Sequence, residues 1–202
     1  MQAPPALPAE FFQRTATAVA RDLLGRDLLV LHDNQLLRVQ LTDVEAYMQN
    51  DRACHANNGN KTKRNAAMFE AGGVAYVYFV YGMHWVLNFV TGDAGDGQGV
   101  MVRGVLPVHG HEIISNNRRF GQKMPQPRDQ AKWLDGPAKV TQGLGLTGLH
   151  NGLALQPARG IWLEAGHPVA DEHVVTGPRV GVDYAGEDAL LPWRWRLLHL
   201  RG

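Results

Sequence analysis

The chain has 202 residues, 45% of them apolar, enough to bury one good core in a single domain. Twenty basic residues against nineteen acidic ones leave a net charge of +1, so any nucleic-acid surface must be a local patch. The single cysteine, Cys54, excludes an internal disulfide and a cysteine-rich zinc site, and it fits a cytosolic protein. No run of about eighteen apolar residues is present, which argues against a membrane span.

Residues 1–8 carry Pro4, Pro5 and Pro8 and are expected to be flexible. They lack the basic-then-apolar order of a signal peptide. A helix is expected over 8–24: Pro8 suits its first turn, Phe12, Ala16, Val19 and Leu23 recur near helical spacing, and Gly25 stops it. Strands are expected over 28–32, 36–47, 74–81, 84–91 and 99–108, where β-branched, aromatic and alternating residues concentrate. Residues 57–64 and 116–128 read as basic loops, and Gly136-Pro137 opens a helix that runs to about 144. Short strands over 161–164, 180–184 and 193–200 complete the chain. The result is a single α+β domain spanning 1–202, with a curved, mainly antiparallel sheet flanked by helices.

Strand periodicity puts Glu45 and Tyr47 on one face, and Tyr76, Tyr78 and Val80 on one face, with Tyr81 passing to the opposite side at the turn. In the strand Met101, Arg103, Val105 the arginine lands on an otherwise apolar face and needs a partner. Alone, Glu45 fits a solvated edge or an ion pair as well as a catalytic acid, His55 fits a loop residue, and strand tyrosines fit core packing. Motifs for zinc hydrolysis, a phosphate-binding loop and a serine nucleophile are absent, and no metal or organic cofactor is expected. The run Gly143-Leu144-Gly145-Leu146 reads as a helix end followed by a turn.

Taken in order, Glu45-Ala46-Tyr47, His55, Arg64-Asn65 with Met68-Phe69, the block from Tyr76 to Met83, Asn88, Arg103, Gly136-Pro137-Ala138-Lys139, Arg179-Val180-Gly181-Val182 and Ala185-Gly186-Glu187 resemble the alkyladenine (3-methyladenine) DNA glycosylases, in a bacterial-type form. The resemblance covers nearly the whole chain. It implies a monofunctional base-excision enzyme whose β-hairpin enters the minor groove of duplex DNA, flips out an alkylated or deaminated purine and hydrolyses its N-glycosidic bond. The lesions implied are 3-methyladenine and 7-methylguanine, extending to hypoxanthine and ethenoadenine.

By the same resemblance, Glu45 activates the water, while Arg103 and the main-chain carbonyl of Val180 share it. Tyr47, His55 and Tyr78 wall the base pocket, and Asn88 crowds it against the exocyclic amine of normal guanine. Tyr81 fills the gap left by the flipped nucleotide, and Met83 presses on the duplex beside it. Lys61, Lys63, Arg64 and Lys139 are candidates for phosphate contacts. The expected partner is double-stranded DNA with damaged purines, met by a monomer in the cytoplasm at the bacterial nucleoid. The competing expectation is a non-catalytic module that binds damaged DNA, against which a lone acid facing a phosphate backbone argues.

Overall fold

The computed structural model of the chain describes residues 4–119, 127–166 and 169–198. Two helices, α1 (Ala9–Phe12) and α2 (Ala16–Leu23), precede strands β1 (Asp27–His32) and β2 (Gln35–Tyr47). Next come β3 (Ala75–Val80), β4 (His84–Thr91), β5 (Gln98–His109), α3 (His111–Asn117) and α4 (Pro137–Leu144). The chain ends in β6 (Ile161–Leu163), β7 (Val174–Gly177) and β8 (Arg194–Leu197). The sheet runs β3-β4-β5-β2-β1-β6, with β8 also on β2 and β7 on β8. Every pairing is antiparallel, as an α+β reading requires.

One face of this sheet carries the main core. Val19, Ala20 and Leu23 of α2, Val140 and Leu144 of α4, and Ile114 of α3 pack with Val44, Leu87, Phe89, Val100 and Val102, all buried. Each such side chain stabilises the fold by roughly 1.5–3 kcal/mol when fully buried. The opposite face, over β2 to β5, carries the polar and aromatic residues that the sequence marks as functional.

A local irregularity decides which residues reach that second face. Leu41 pairs with Val105, Asp43 with Gly104 and Val44 with Val102, so Thr42 on β2 and Arg103 on β5 are both left without an opposite residue. The inward parity of both strands switches there. Leu37, Val39 and Leu41 fill the core before the irregularity, and Val44 and Ala46 fill it afterwards. Without the switch, Glu45 and Tyr47 would point into the helix-covered core. For the same reason Met101 and Arg103 do not share a face with Val105, which joins the main core, contrary to simple alternation.

Other expectations also change. The helix expected over 8–24 is two helices, because the Phe12 carbonyl accepts from Gly92 N–H at 2.9 Å while Gln98 Oε1 takes the Ala16 N–H at 2.8 Å. Those two tertiary bonds replace the one that would have joined the helices. The N-terminal stretch is tied down from Pro5 onward: Leu7 N–H donates to Leu163 O and Ala165 N–H to Pro5 O, each at 2.8 Å.

The strand expected over 180–184 does not form, since Gly181 takes φ 76° and residues Asp183–Leu190 turn into a 3-10 helix. Of the loop expected over 116–128, α3 covers the first two residues and 120–126 lie outside the described residues. The last strand is seen over Arg194–Leu197, with 199–200 likewise outside them. Strand β7 and helix α3 have no counterpart in the sequence reading.

Candidate active site

The second face of the sheet floors a cavity of about 400 Å³, lined by Tyr47, His55, Tyr76, Tyr78, Tyr81, Asn88, Met101, Arg103 and the backbone and side chains around Val180. Small-molecule sites commonly enclose roughly 300–1,000 Å³. Glu45 lies just beneath its wall, fully buried. Val180 N–H donates to Glu45 Oε1 at 2.9 Å, while Oε2 accepts from the Tyr47 hydroxyl at 2.8 Å and from Arg103 Nη1 at 3.3 Å. The Val180 N–H thus contacts the acid directly.

Two arginines bracket this acid. Arg194 binds Asp43 through two hydrogen bonds, at 2.9 and 2.6 Å, and its Nε stands 4.0 Å from Glu45 Oε1. Even so, burial pushes the Glu45 pKa above the ordinary carboxylate range, against the opposing pull of Arg103, the Val180 N–H and the Tyr47 hydroxyl. Burial and the neighbouring carboxylate raise the Tyr47 pKa as well, so its phenol stays protonated as a donor.

A raised carboxyl pKa has two consequences. Folding is favoured where Glu45 is protonated, so its contribution is full below the unfolded pKa and is lost as pH rises through the folded one. Chemistry that needs the carboxylate runs the other way and rises with pH. The acid limb of the single-turnover rate is expected above the usual glutamate range, and a limb at or below that range would contradict a buried base.

The aromatic side of the cavity is built on β3. Tyr76 and Tyr78 stack with centroids 5.1 Å apart, His55 meets Tyr78 edge-on at 4.5 Å, and His55 Nδ1 lies 3.1 Å from the Tyr76 hydroxyl in a hydrogen bond. Asn65 Nδ2 donates to the His55 carbonyl at 2.8 Å and fixes the loop that carries it. Burial, with Arg64 nearby, lowers the His55 pKa, so the ring is neutral at pH 7. Asn88, on β4, donates through Nδ2 to the Tyr76 carbonyl at 3.1 Å, which sets its side chain against the cavity.

Tyr47 is fixed from behind. The Arg179 guanidinium lies 4.7 Å from its ring centre and 5.1 Å from that of Trp193. Arg179 pairs with Asp51, both side chains being fully buried, and also donates to the carbonyls of Ala46 at 3.0 Å and Asp188 at 2.9 Å. Burial works against the Arg179 charge, but Asp51 outweighs it and holds the pKa above its ordinary value.

Strand β5 pairs with β4 only over Asn88–Thr91, whereas β3 and β4 pair on to Val80 and His84 at the turn. Tyr81 and Gly82 both take left-handed backbone, φ 51° and 66°, and Met83 N–H donates to Val80 O at 3.1 Å to close the turn. Tyr81 is 90% and Met83 67% exposed, so two large side chains are held out side by side at the tip. Tyr81 does not pass to the opposite face as expected: left-handed backbone breaks the alternation, and the residue lines the same cavity as Tyr78.

Of the basic candidates, Arg64 donates to Phe79 O at 2.5 Å and lies over the Tyr78 ring, so it braces the hairpin. Lys139 pairs with Asp135, Lys61 sits 5.3 Å from the Phe69 ring centre, and Lys63 is exposed. The sequence reading left Tyr76, Arg179, Tyr184 and Arg194 out of the site. Tyr76 shares the period-two face of Tyr78, which was a usable signal, whereas the other three reach the site by long-range packing.

Residues 10–199 match the family model described as methylpurine-DNA glycosylase. The chain is 43% identical over 191 residues to a protein of Carboxydothermus hydrogenoformans, covering 95% of this chain and 94% of that one. It is 40% identical over 192 residues to one of Methanocella arvoryzae, covering 95% and 92%. Both bear the name "Putative 3-methyladenine DNA glycosylase". A DNA-3-methyladenine glycosylase of Arabidopsis thaliana is 43% identical over 180 residues, 89% of this chain and 66% of the plant protein. With the family model spanning almost the whole chain and identities of this size over its length, the chain belongs to the methylpurine-DNA glycosylase family of DNA-repair enzymes.

Proposed function

We propose that this protein takes an alkylated or deaminated purine nucleotide out of duplex DNA into the cavity and hydrolyses its N-glycosidic bond with water activated by Glu45. The observation that carries this reading is a fully buried carboxylate, held by Val180 N–H, Tyr47 and Arg103, beneath a cavity walled by Tyr47, His55 and Tyr78. Glu45 takes a proton from water, the water oxygen bonds to C1′, and the electron pair of the C1′–N bond leaves with the base. The same carboxylate stabilises the positive charge that develops on the sugar. Arg103 holds Glu45 in place and shares the water.

A cationic purine such as 3-methyladenine or 7-methylguanine leaves readily, because the departing electron pair neutralises it. It also stacks well between aromatic faces. Hypoxanthine and ethenoadenine are neutral and need a proton from water or an acid, so they are slower substrates. The Asn88 side chain narrows the cavity against the exocyclic amine of normal guanine. Flipping costs a few kcal/mol, least at damaged pairs, which adds to the selection.

The exposed Tyr81 takes the place of the extruded nucleotide, and Met83 presses on the adjoining pair. Lys63, Lys61, Arg64 and Lys139 lie on exposed loops and helix ends suited to phosphate contacts. The protein acts as a monomer, since one hairpin serves one lesion.

Among the described residues no lysine lines the cavity, so the reaction stops at an abasic site rather than passing through a Schiff base. The test is a duplex with one 7-methylguanine. Expected are free 7-methylguanine, an intact strand until alkali is added, and no borohydride-trapped adduct. Strand cleavage without alkali, or a trapped adduct, would refute the monofunctional reaction. Tyr81→Ala is expected to lower the extrusion equilibrium about tenfold, the size of one lost aromatic contact to a base. Fluorescence of 2-aminopurine beside the lesion reads it, and an unchanged constant would mean that Tyr81 is not the wedge.

A further inference from the structure

The wall that supplies Val180 continues into a second exposed aromatic. Tyr184 lines the same cavity as Tyr78 and Tyr81, yet it is 73% exposed. It arrives on the 3-10 helix Asp183–Leu190, on the far side of the sequence from the hairpin. Its hydroxyl donates to the Ala53 carbonyl at 3.4 Å.

The support beneath it is rigid. Ala53 N–H donates to Asp51 Oδ1 at 2.9 Å, Arg52 N–H donates to Asp188 Oδ2 at 2.9 Å, and Arg179 ties Asp51 to the Asp188 carbonyl. Two turns of chain are thus locked together under a ring that no core packing requires. A large aromatic group held out to solvent on a fixed base loses little conformational freedom when it meets a partner.

The three phenols at the mouth also sense one another. Burial first, then Tyr184, pushes the Tyr78 pKa up to about 12, and burial, with Tyr81 among the neighbours, raises that of Tyr184. The Tyr184 hydroxyl already donates to the Ala53 carbonyl, so what Tyr184 offers a partner is its ring.

We propose that Tyr184 is a second DNA-contacting aromatic, which closes on the sugar of the extruded nucleotide from the Val180 wall and holds it in the cavity while Tyr81 fills the duplex. This rests on the glycosylase reading of the site. Tyr81 acts mainly on departure from the stack, and Tyr184 acts on return to it.

The experiment is stopped-flow fluorescence on a duplex holding a cleavage-resistant 2′-fluoro-7-methylguanine nucleotide with 2-aminopurine beside it. Wild type is expected to show an extrusion phase after binding. Tyr184→Ala is expected to speed the return of the nucleotide about tenfold, as for one lost aromatic contact. Tyr184→Phe keeps the ring and loses only the bond to Ala53, so its return rate should stay near that of wild type. Because the ring is largely exposed, its truncation opens no core cavity and folding is retained. Return from Tyr184→Ala at the wild-type rate would overturn the assignment of Tyr184 while leaving the glycosylase reading intact. An absent extrusion phase in wild type would instead remove that reading, and this inference with it.

Discussion

Glu45→Gln is expected to lower the single-turnover rate of base release by at least about a thousandfold, within the range for loss of a general base. The substitution keeps the shape of the side chain. Its amide oxygen can still accept from Val180 N–H or from the Tyr47 hydroxyl, which now reach Glu45 at 2.9 and 2.8 Å. Its amide nitrogen then faces Tyr47 and Arg103 in the first case and the Val180 N–H in the second, and it cannot take a proton from water. On the proposed reading extrusion is the work of the hairpin and the aromatic walls, so it should survive. Kinetics with enzyme in excess over a lesion duplex read the loss, and a rate within about tenfold of wild type would contradict the role of the carboxylate.

The second large effect is on stability. Asp51→Asn leaves the Arg179 guanidinium buried without its counter-charge. Breaking a buried pair in this way costs about 3–5 kcal/mol. For a chain of this length that corresponds to a fall in Tm on the order of 10 °C. Arg179→Met should do the same from the other side, and it also removes the cation packed 4.7 Å from the Tyr47 ring centre. Base release by the folded fraction should fall with it, because Tyr47 both walls the cavity and holds Glu45 Oε2. Differential scanning calorimetry checks the first effect, and an unchanged Tm would mean that Asp51 and Arg179 contribute little net.

Much of the frame was legible because β-branched and aromatic residues concentrate over β2 to β5. Helix α4 was legible from the proline at its first turn and from Gly145, which caps it with φ 66°. The aromatic hairpin and the pairing of Glu45 with Tyr47 followed from a period of two. What the pattern hid was non-local. The parity switch at Thr42 and Arg103 leaves one unpaired residue on each of two facing strands, which strict alternation along either one does not anticipate. Had alternation run on unbroken from Leu37, Glu45 would have been a core-facing residue. The break between α1 and α2 is likewise made by Gly92 and Gln98, far along the chain. The 180–184 stretch looked extended by composition, but Gly181 turns it so that Val180 N–H reaches Glu45. The pairing of Arg179 and Arg194 with carboxylates carried no local signal, since those partners lie more than a hundred residues earlier, although Arg179 itself stands in one of the blocks that resemble the family.

The central claim is that Glu45 directs water at the sugar of a flipped, damaged purine. It is tested most directly by measuring base release and binding together, for wild type and Glu45→Gln, on a duplex with one 7-methylguanine and on its abasic-site counterpart. The account predicts release by wild type alone and tight binding of the abasic duplex by both proteins. Equal release by both would contradict it, and tight binding without release by either would make the protein a damage-binding module.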